Sequence, residues 1–124
     1  MTAIRGVGVD IADVDRFRVL YAQYGDRFAR KWFADAELAR CCRVPDVGAA
    51  LAEHFAAKEA VWKALGPGPW RSPIVWRSID VRIGAGTAVL SGEAAALAGA
   101  VGVHVSVSRQ QHVAIATALV TAEY

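Results

Sequence analysis

Residues 45–66 of this 124-residue chain have the sequence PDVGAALAEHFAAKEAVWKALG, which contains the longest helical pattern in the molecule. Pro45-Asp46 is a typical start signal for a helix, and the run Gly66-Pro67-Gly68-Pro69 is a typical stop. At about 100° per residue, several apolar side chains fall in one arc of this helix, namely Val47, Leu51, Phe55, Trp62 and Leu65. The stretch therefore predicts a long central helix with an apolar face in the core.

Three charged residues accompany this apolar face. Lys58 projects into the arc, Glu59 lies at its edge, and Lys63 follows Glu59 at i+4. A lysine in an apolar arc is costly to desolvate unless its ammonium reaches water or finds a partner. The pattern fits either a surface helix with one Glu–Lys pair, or a carboxylate and ammonium groups that converge on a polyanion. The loop Gly66-Pro67-Gly68 would allow close backbone approach to a phosphate, although glycine and proline also end many helices.

Around this helix, strands and helices mix without strict alternation, which predicts one α+β domain over residues 1–124 with a largely antiparallel sheet. Asp13 or Asp15 is the expected cap of the first helix, and Asp35 that of the third. The predicted strands cover residues 3–11, 79–83, 87–90, 103–107 and 113–120. The predicted helices cover residues 15–24, 27–33, 35–43, 46–65 and 93–101, with a loop at 71–73 and turns at 84–86 and 109–112.

Two of the predicted strands carry residues suited to ligand binding. Gly6, Gly8 and Asp10 share one face of the first strand, because strand side chains alternate. That face either leaves room for a bulky ligand beside a carboxylate, or the glycines only permit packing and Asp10 caps the strand end. On a later strand, Ser106 and Ser108 precede Arg109, which fits a phosphate-binding edge or a solvated strand face.

Composition excludes several classes of protein. The chain is 55% hydrophobic with a net charge of +2, which excludes intrinsic disorder and gives no support for a general nucleic-acid binder. Cys41 and Cys42 are adjacent and lack disulfide or metal-site spacing, so a reducing compartment is expected. No apolar run reaches the roughly 20 residues of a membrane span, and no signal peptide is apparent. We expect a soluble cytoplasmic protein that binds neither nucleic acid nor membrane.

A cationic cluster surrounds the early helices and comprises Arg16, Arg18, Arg27, Arg30 and Lys31. It is either a solvated face balanced by nearby aspartates or a docking surface for an acidic protein.

Together these segments resemble the holo-acyl-carrier-protein synthase family over nearly the whole chain. The resemblance is carried by residues 6–11 with Asp15-Arg16-Phe17, residues 33–38, residues 55–66 (FAAKEAVWKALG), residues 76–81 and residues 105–108. It implies a 4′-phosphopantetheinyl transferase fold, with a largely antiparallel sheet wrapped by helices that include one long central helix. The implied reaction moves phosphopantetheine from coenzyme A to a serine of an acyl carrier protein and releases 3′,5′-ADP. The resemblance also implies Mg²⁺ and a homotrimer with active sites shared between subunits.

The resemblance assigns roles to individual residues. Asp10 and Glu59 match the magnesium carboxylates, with Glu59 also the candidate base, and Lys63 matches the lysine that reaches the coenzyme A phosphates. The residues expected to bind or support the donor are His54, Lys58, Lys63, Gly66, Gly68, Ser106, Ser108 and Arg109. Arg16, Arg27 and Lys31 match positions that meet the acidic helix of the carrier.

The chain departs from the family pattern at three positions. His54 replaces an arginine, Pro67 replaces the middle residue of a Gly-Thr-Gly loop, and Arg109 replaces a histidine. His54 and Arg109 fall where the family is expected to touch the nucleotide end of coenzyme A, and Arg109 is the expected partner of its 3′-phosphate. Two alternatives stay open: a non-catalytic trimer that binds coenzyme A or a carrier protein, and a magnesium-dependent phosphotransferase for another nucleotide. The type of carrier, whether for fatty-acid, polyketide or peptide synthesis, is also open.

Overall fold

The computed structural model describes residues 2–66 and 73–123 as an α+β fold with two antiparallel sheets. The elements run β1 (Thr2–Asp13), α1 (Val14–Tyr24), α2 (Asp26–Ala29), α3 (Asp35–Cys41), α4 (Val47–Leu65), α5 (Pro73–Arg77), β2 (Ile79–Arg82), β3 (Thr87–Leu90), α6 (Gly92–Ala98), β4 (Gly102–Arg109) and β5 (Val113–Glu123). The predicted fold class is therefore confirmed.

The larger sheet has the strand order β1-β5-β4, so the last strand of the chain lies in the middle. Alternation along β1 turns Gly8 and Asp10 toward the core, whereas Val7, Val9 and Ile11 lie exposed on the outer face. Strands β2 and β3 form a separate pair. A backbone hydrogen bond of 2.9 Å from Val105 N to Gly86 O joins β4 to the turn before β3.

Helix α4 crosses the inner face of the larger sheet and is buried on several sides. Asp46 caps its start, because its carboxylate accepts from Ala49 N at 3.1 Å. Gly66 ends it in the left-handed conformation, with φ of 73°. Alanines 49, 52, 56, 57, 60 and 64 are all buried, so the sheet and neighbouring helices approach the helix closely.

Gly6 and Gly8 make this close approach possible. A Cβ atom on Gly6 would lie 2.0 Å from Ala64 O, and one on Gly8 would lie 1.9 Å from Ala60 O. The hypothesis that these glycines leave room for a ligand is therefore wrong, because the space beside them is filled by the backbone of α4. The prediction that they share a face with Asp10 is confirmed.

Lys58 is fully buried and joins three elements. Its ammonium donates to the Glu37 carboxylate of α3 and, at 2.7 Å, to the carbonyl oxygen of Ile79 in β2. The Glu37 carboxylate also accepts from the backbone N–H groups of Ala34 at 3.2 Å and Val81 at 3.0 Å. Lys58 was expected among the donor-binding residues; its burial is inconsistent with direct contact with coenzyme A, and its role is to support the fold.

Several element boundaries differ from the prediction. β2 ends at Arg82, because Ile83–Ala85 forms a 3-10 turn. Pro73 begins α5 and was wrongly assigned to a loop, whereas residues 71 and 72 of that predicted loop lie outside the described part of the chain. Ala34 rather than Asp35 is the N-cap of α3, since the Glu37 carboxylate accepts from Ala34 N.

No helix in residues 2–66 and 73–123 is long and apolar enough to cross a membrane.

Candidate active site

Asp10, Glu59 and Lys63 meet where β1 passes beneath α4. Asp10 lies two residues beyond Gly8 on the same face of β1. Because α4 approaches this face closely, Asp10 lies beside the helical turn of α4 that carries Glu59 and Lys63. The Lys63 ammonium lies 2.8 Å from Asp10 Oδ1 and also donates to Val9 O at 3.1 Å. Asp10 is nearly buried, whereas half of the Lys63 side chain remains exposed. The structure thus brings together all three predicted catalytic residues.

The Glu59 carboxyl has a strongly raised pKa. Burial raises the pKa of Glu59 to about 7, assisted by a hydrogen bond to the Asp10 carboxyl and by its negative charge, and the Lys63 charge acts in the opposite direction. The hydrogen bond to Asp10 also raises the pKa of Lys63 above its ordinary value, so this ammonium stays charged.

Magnesium fits the donor atoms of this pair. Two carboxyls in direct contact repel when both ionise, and a divalent cation between them removes that penalty. Mg²⁺ is commonly held by one or two carboxylates, with water and substrate phosphate completing its coordination. No group of three or more His, Cys, Asp or Glu residues suited to a metal occurs among the described residues. Asp10 and Glu59 are therefore the residues that could hold such an ion.

A cavity of about 400 Å³ opens directly beside the carboxylates. Its charged lining residues are Asp10, Asp13, Arg16 and Glu59. The rest of the lining is mainly aromatic and aliphatic: Phe17, Leu20, Phe28, Trp32 and Phe55. A second cavity of about 370 Å³ shares Leu20, Phe28 and Trp32 with the first and contains Arg27 and Lys31. The three predicted docking cations therefore surround one continuous apolar surface.

The other predicted donor-binding residues lie elsewhere in the chain. His54 and Arg109 line a cavity of about 440 Å³ that shares no residue with the one beside Asp10 and Glu59. Ser106 and Ser108 are exposed on the outer face of β4. Gly66 ends α4, and its N–H donates to Lys63 O at 3.1 Å. Gly68 and Pro67 lie outside the described residues.

His54 is held in a defined tautomer. Its Nδ1 lies 2.8 Å from Ala50 O, a carbonyl that can only accept, so Nδ1 carries the proton. Burial lowers the pKa of His54 below its ordinary value, so the ring is neutral at physiological pH and its Nε2 is an acceptor. The family pattern places His54 where the nucleotide end of coenzyme A is expected, and the neutral tautomer leaves Nε2 without a hydrogen to donate to a phosphate.

The model of the 4′-phosphopantetheinyl transferase superfamily matches residues 6–118. This chain belongs to that superfamily. The holo-[acyl-carrier-protein] synthase of Pelodictyon phaeoclathratiforme is 37% identical over 117 residues, which cover 92% of this chain and 96% of that protein. A synthase of the same name from Chlamydia muridarum is 48% identical over 79 residues, covering 64% of this chain, and the match spans 62% of that relative's length.

A solved structure shows the same fold. The crystal structure of a holo-(acyl-carrier-protein) synthase from Bacillus anthracis in complex with CoA (3′,5′-ADP) has a TM-score of 0.74 and 26% identity, and the alignment covers 97% of this chain and 98% of that one. The resemblance that the sequence motifs indicated is confirmed as superfamily membership.

The sequence analysis did not single out several residues that line these cavities. Phe28 in α2 and Trp32 in the turn that follows it, which are four residues apart, line both of the first two cavities. Their spacing was a usable signal. Arg40 and Arg82 join His54 in a further groove, and nothing in their spacing indicated this, because residues 40, 54 and 82 come from three separate elements.

Proposed function

We propose that this protein is a holo-[acyl-carrier-protein] synthase, which transfers 4′-phosphopantetheine from coenzyme A to a serine of an acyl carrier protein. The observation that carries the proposal is the contact of Asp10, Glu59 and Lys63 beside a largely apolar cavity that Asp10 and Glu59 line, in a chain of the 4′-phosphopantetheinyl transferase superfamily. A protein that only binds a carrier has no need for two carboxyl groups in contact beside a charged lysine.

The chemistry assigned to these residues is phosphoryl transfer. The serine oxygen attacks the phosphorus that bears pantetheine, a new P–O bond forms, and the bond to the leaving 3′,5′-ADP breaks. Such reactions depend mainly on positioning and on neutralisation of phosphate charge. Asp10 and Glu59 would hold Mg²⁺, which supplies charge neutralisation at the transferred phosphate when it is bound. Lys63, oriented by Asp10 and half exposed, contributes a further positive charge toward the pyrophosphate.

Glu59 is the proposed acceptor of the serine proton. A general base works best when its pKa lies near the operating pH. Burial and the neighbouring Asp10 raise the pKa of Glu59 to about 7 in the metal-free protein, and the charge of bound Mg²⁺ would lower it from that value. Its half-buried carboxyl also borders the cavity into which the serine would enter. Loss of the hydroxyl proton to Glu59 leaves the oxygen nucleophilic as the P–O bond forms.

We also propose that the protein acts as a homotrimer. The His54–Arg109 cavity and the exposed Ser106 and Ser108 lie apart from Asp10 and Glu59 within one chain. A neighbouring subunit would supply His54, Ser106, Ser108 and Arg109 to a shared site. These residues, with Gly66 and Gly68, would bind the nucleotide end of coenzyme A. Exposed apolar side chains on the outer sheet face support this assembly: Ile4, Val7, Val9, Ile11 and Ile115 are 66%, 61%, 51%, 63% and 43% exposed.

The carrier is proposed to dock on the surface formed by Arg16, Arg27 and Lys31. An acidic helix would be attracted to these cations, while Phe28 and Trp32 between them would contact its apolar residues.

We place the reaction in the cytoplasm. Both cysteines are free thiols, as expected in a reducing compartment.

The test is incubation of the protein with coenzyme A, Mg²⁺ and an apo acyl carrier protein, followed by intact mass spectrometry of the carrier. We expect the carrier to gain one phosphopantetheine group, and 3′,5′-ADP to appear in equal amount. A carrier whose acceptor serine is replaced by alanine, and a reaction with excess chelator, are the controls. Binding of coenzyme A and carrier without any mass gain would instead support the non-catalytic alternative.

A further inference from the structure

A groove of about 460 Å³ lies beside His54. Two arginines line it, whereas the neighbouring cavity has Arg109 together with Asp46 and Glu53. The lining of the groove comprises Arg40, His54, Arg82 and the 3-10 turn Ile83–Ala85. It shares His54 and Ile83 with the Arg109 cavity, so the two are adjacent and together are called the cleft. A Cβ atom on Gly84 would meet no other atom within 4 Å, which leaves this side of the cleft open to a ligand.

The groove has an excess of positive charge. Asp80 is the carboxylate that contacts both arginines, and Arg40 donates to it directly and also to Val81 O at 2.8 Å. Arg82 Nη2 lies 3.5 Å from the other Asp80 oxygen, at the limit of a hydrogen bond, and half of its side chain is exposed. Because Arg40 neutralises Asp80, Arg82 retains its charge and most of its N–H donors for an incoming anion.

The Arg109 side of the cleft is less suited to an anion. Arg109 Nε lies 3.1 Å from Glu53 Oε1, and Asp46 lines the same cavity. A phosphate that reached Arg109 would lie near the carboxylates of Glu53 and Asp46. His54 cannot help, because its Nδ1 proton is donated to Ala50 O.

We propose that Arg82 binds the 3′-phosphate of the coenzyme A donor and thereby sets its preference over 3′-dephospho-coenzyme A, with Arg40 as the positioning residue that occupies Asp80. This assignment rests on the proposed function for the identity of the donor. A guanidinium presents two parallel N–H groups to a phosphate, which matches the geometry of a phosphate monoester. The position differs from the one that the family pattern indicated, since Arg109 is engaged by Glu53.

The test compares the dissociation constants of coenzyme A and 3′-dephospho-coenzyme A by calorimetry, with Mg²⁺ and without a carrier protein. A charge-assisted hydrogen bond corresponds to roughly a tenfold to hundredfold change in affinity. We expect wild type to prefer coenzyme A by at least about tenfold. Arg82→Gln should lose most of this preference by weakening coenzyme A while leaving 3′-dephospho-coenzyme A unchanged. Arg109→Gln is the matched comparison in the same cleft, and Arg30→Gln controls for the removal of an exposed arginine elsewhere.

Retention of the full preference in Arg82→Gln would overturn the proposal, and its loss in Arg109→Gln alone would return the phosphate to Arg109. Equal affinity of wild type for the two nucleotides would also overturn it. The binding measurement does not require transfer, so failure of the carrier assay with an intact nucleotide preference would reject the proposed function and leave the Arg82 assignment standing. Circular dichroism of each variant checks that the fold is retained.

Discussion

The raised pKa of Glu59 makes the stability of the protein depend on pH. This raised pKa means that the folded protein binds this proton more tightly than the unfolded chain, so the contribution to stability is greatest below the ordinary value of 4.5 and is lost as pH rises through about 7. Glu59→Gln has no proton to lose. Without Mg²⁺, we therefore expect the variant to have a higher Tm than wild type at pH 8 and a similar Tm at pH 4.5, as measured by calorimetry.

The same substitution should abolish transfer. Gln keeps the shape of the side chain but cannot accept the serine proton or supply a metal charge, so we expect kcat to fall by at least about a hundredfold. Mg²⁺ should raise the Tm of wild type more at pH 8 than at pH 6, because it competes with the Glu59 proton, and should raise that of Glu59→Gln less at either pH. Asp10→Asn should lose transfer similarly. Full magnesium-dependent activity in either variant would contradict the assignment of the metal site.

At the scale of elements, the contact of β1 with α4 positions the site. We expect Gly8→Ala to lower the free energy of unfolding by about 3 kcal/mol or more, since the new methyl group meets a backbone oxygen that cannot rotate away. Gly84→Ala, in open space, is the control and should stay within about 0.5 kcal/mol of wild type. Urea denaturation measures both, and equal effects at the two glycines would contradict the packing described for β1.

The Lys58–Glu37 pair is a second link between elements. Lys58→Met leaves a buried carboxylate without its partner, which should cost about 3–5 kcal/mol of unfolding free energy. Adding Glu37→Gln removes the unpaired charge and should recover part of the loss, although an amide satisfies fewer of the backbone N–H groups that Glu37 bonds. A double-mutant cycle by urea denaturation measures this coupling, and additive losses would show that the two side chains do not interact.

The β1–α4 contact and the Lys58–Glu37 pair show which structural features could be predicted from the sequence and which could not. The pattern of residues 46–65 predicted α4 almost to the residue, because the Asp46 cap, apolar arc and Gly66 stop are all local signals. It also placed Lys58 in the apolar arc, but the partner Glu37 lies 21 residues away and only tertiary folding brings it near. For Gly6 and Gly8, alternation predicted the correct face, whereas the occupant of that face, a helix backbone, could not be deduced from the strand itself.

At the scale of the whole molecule, charge on the carrier-facing surface should govern encounter. Arg16 lies exposed on α1 and lines the cavity that contains Asp10 and Glu59. We expect Arg16→Glu to raise the KM for the carrier several-fold more than that for coenzyme A, and to weaken the salt dependence of transfer, because attraction to an acidic helix mainly raises the on-rate. Steady-state kinetics at two ionic strengths measure this effect. Arg43→Glu changes an exposed arginine away from both docking cavities, and an equal effect there would place the docking surface elsewhere.

Assembly is the last property of the whole molecule that the surface predicts. Val7 is 61% exposed on the outer sheet face and Val19 is 54% exposed on α1, so the two valines are matched in residue type and exposure. If the sheet face joins three subunits, light scattering should give wild type a mass three times 13.2 kDa. Val7→Glu would bury a charge at the interface, so it should dissociate the trimer and abolish transfer, because the cavities lined by His54, Arg82 and Arg109 would no longer lie beside the carboxylates of the neighbouring subunit. Val19→Glu should leave both mass and transfer unchanged.

Two outcomes would contradict this assembly. If Val7→Glu were trimeric and active, the interface would not lie on this sheet face. If wild type were monomeric and still transferred phosphopantetheine, one chain would contain the entire site.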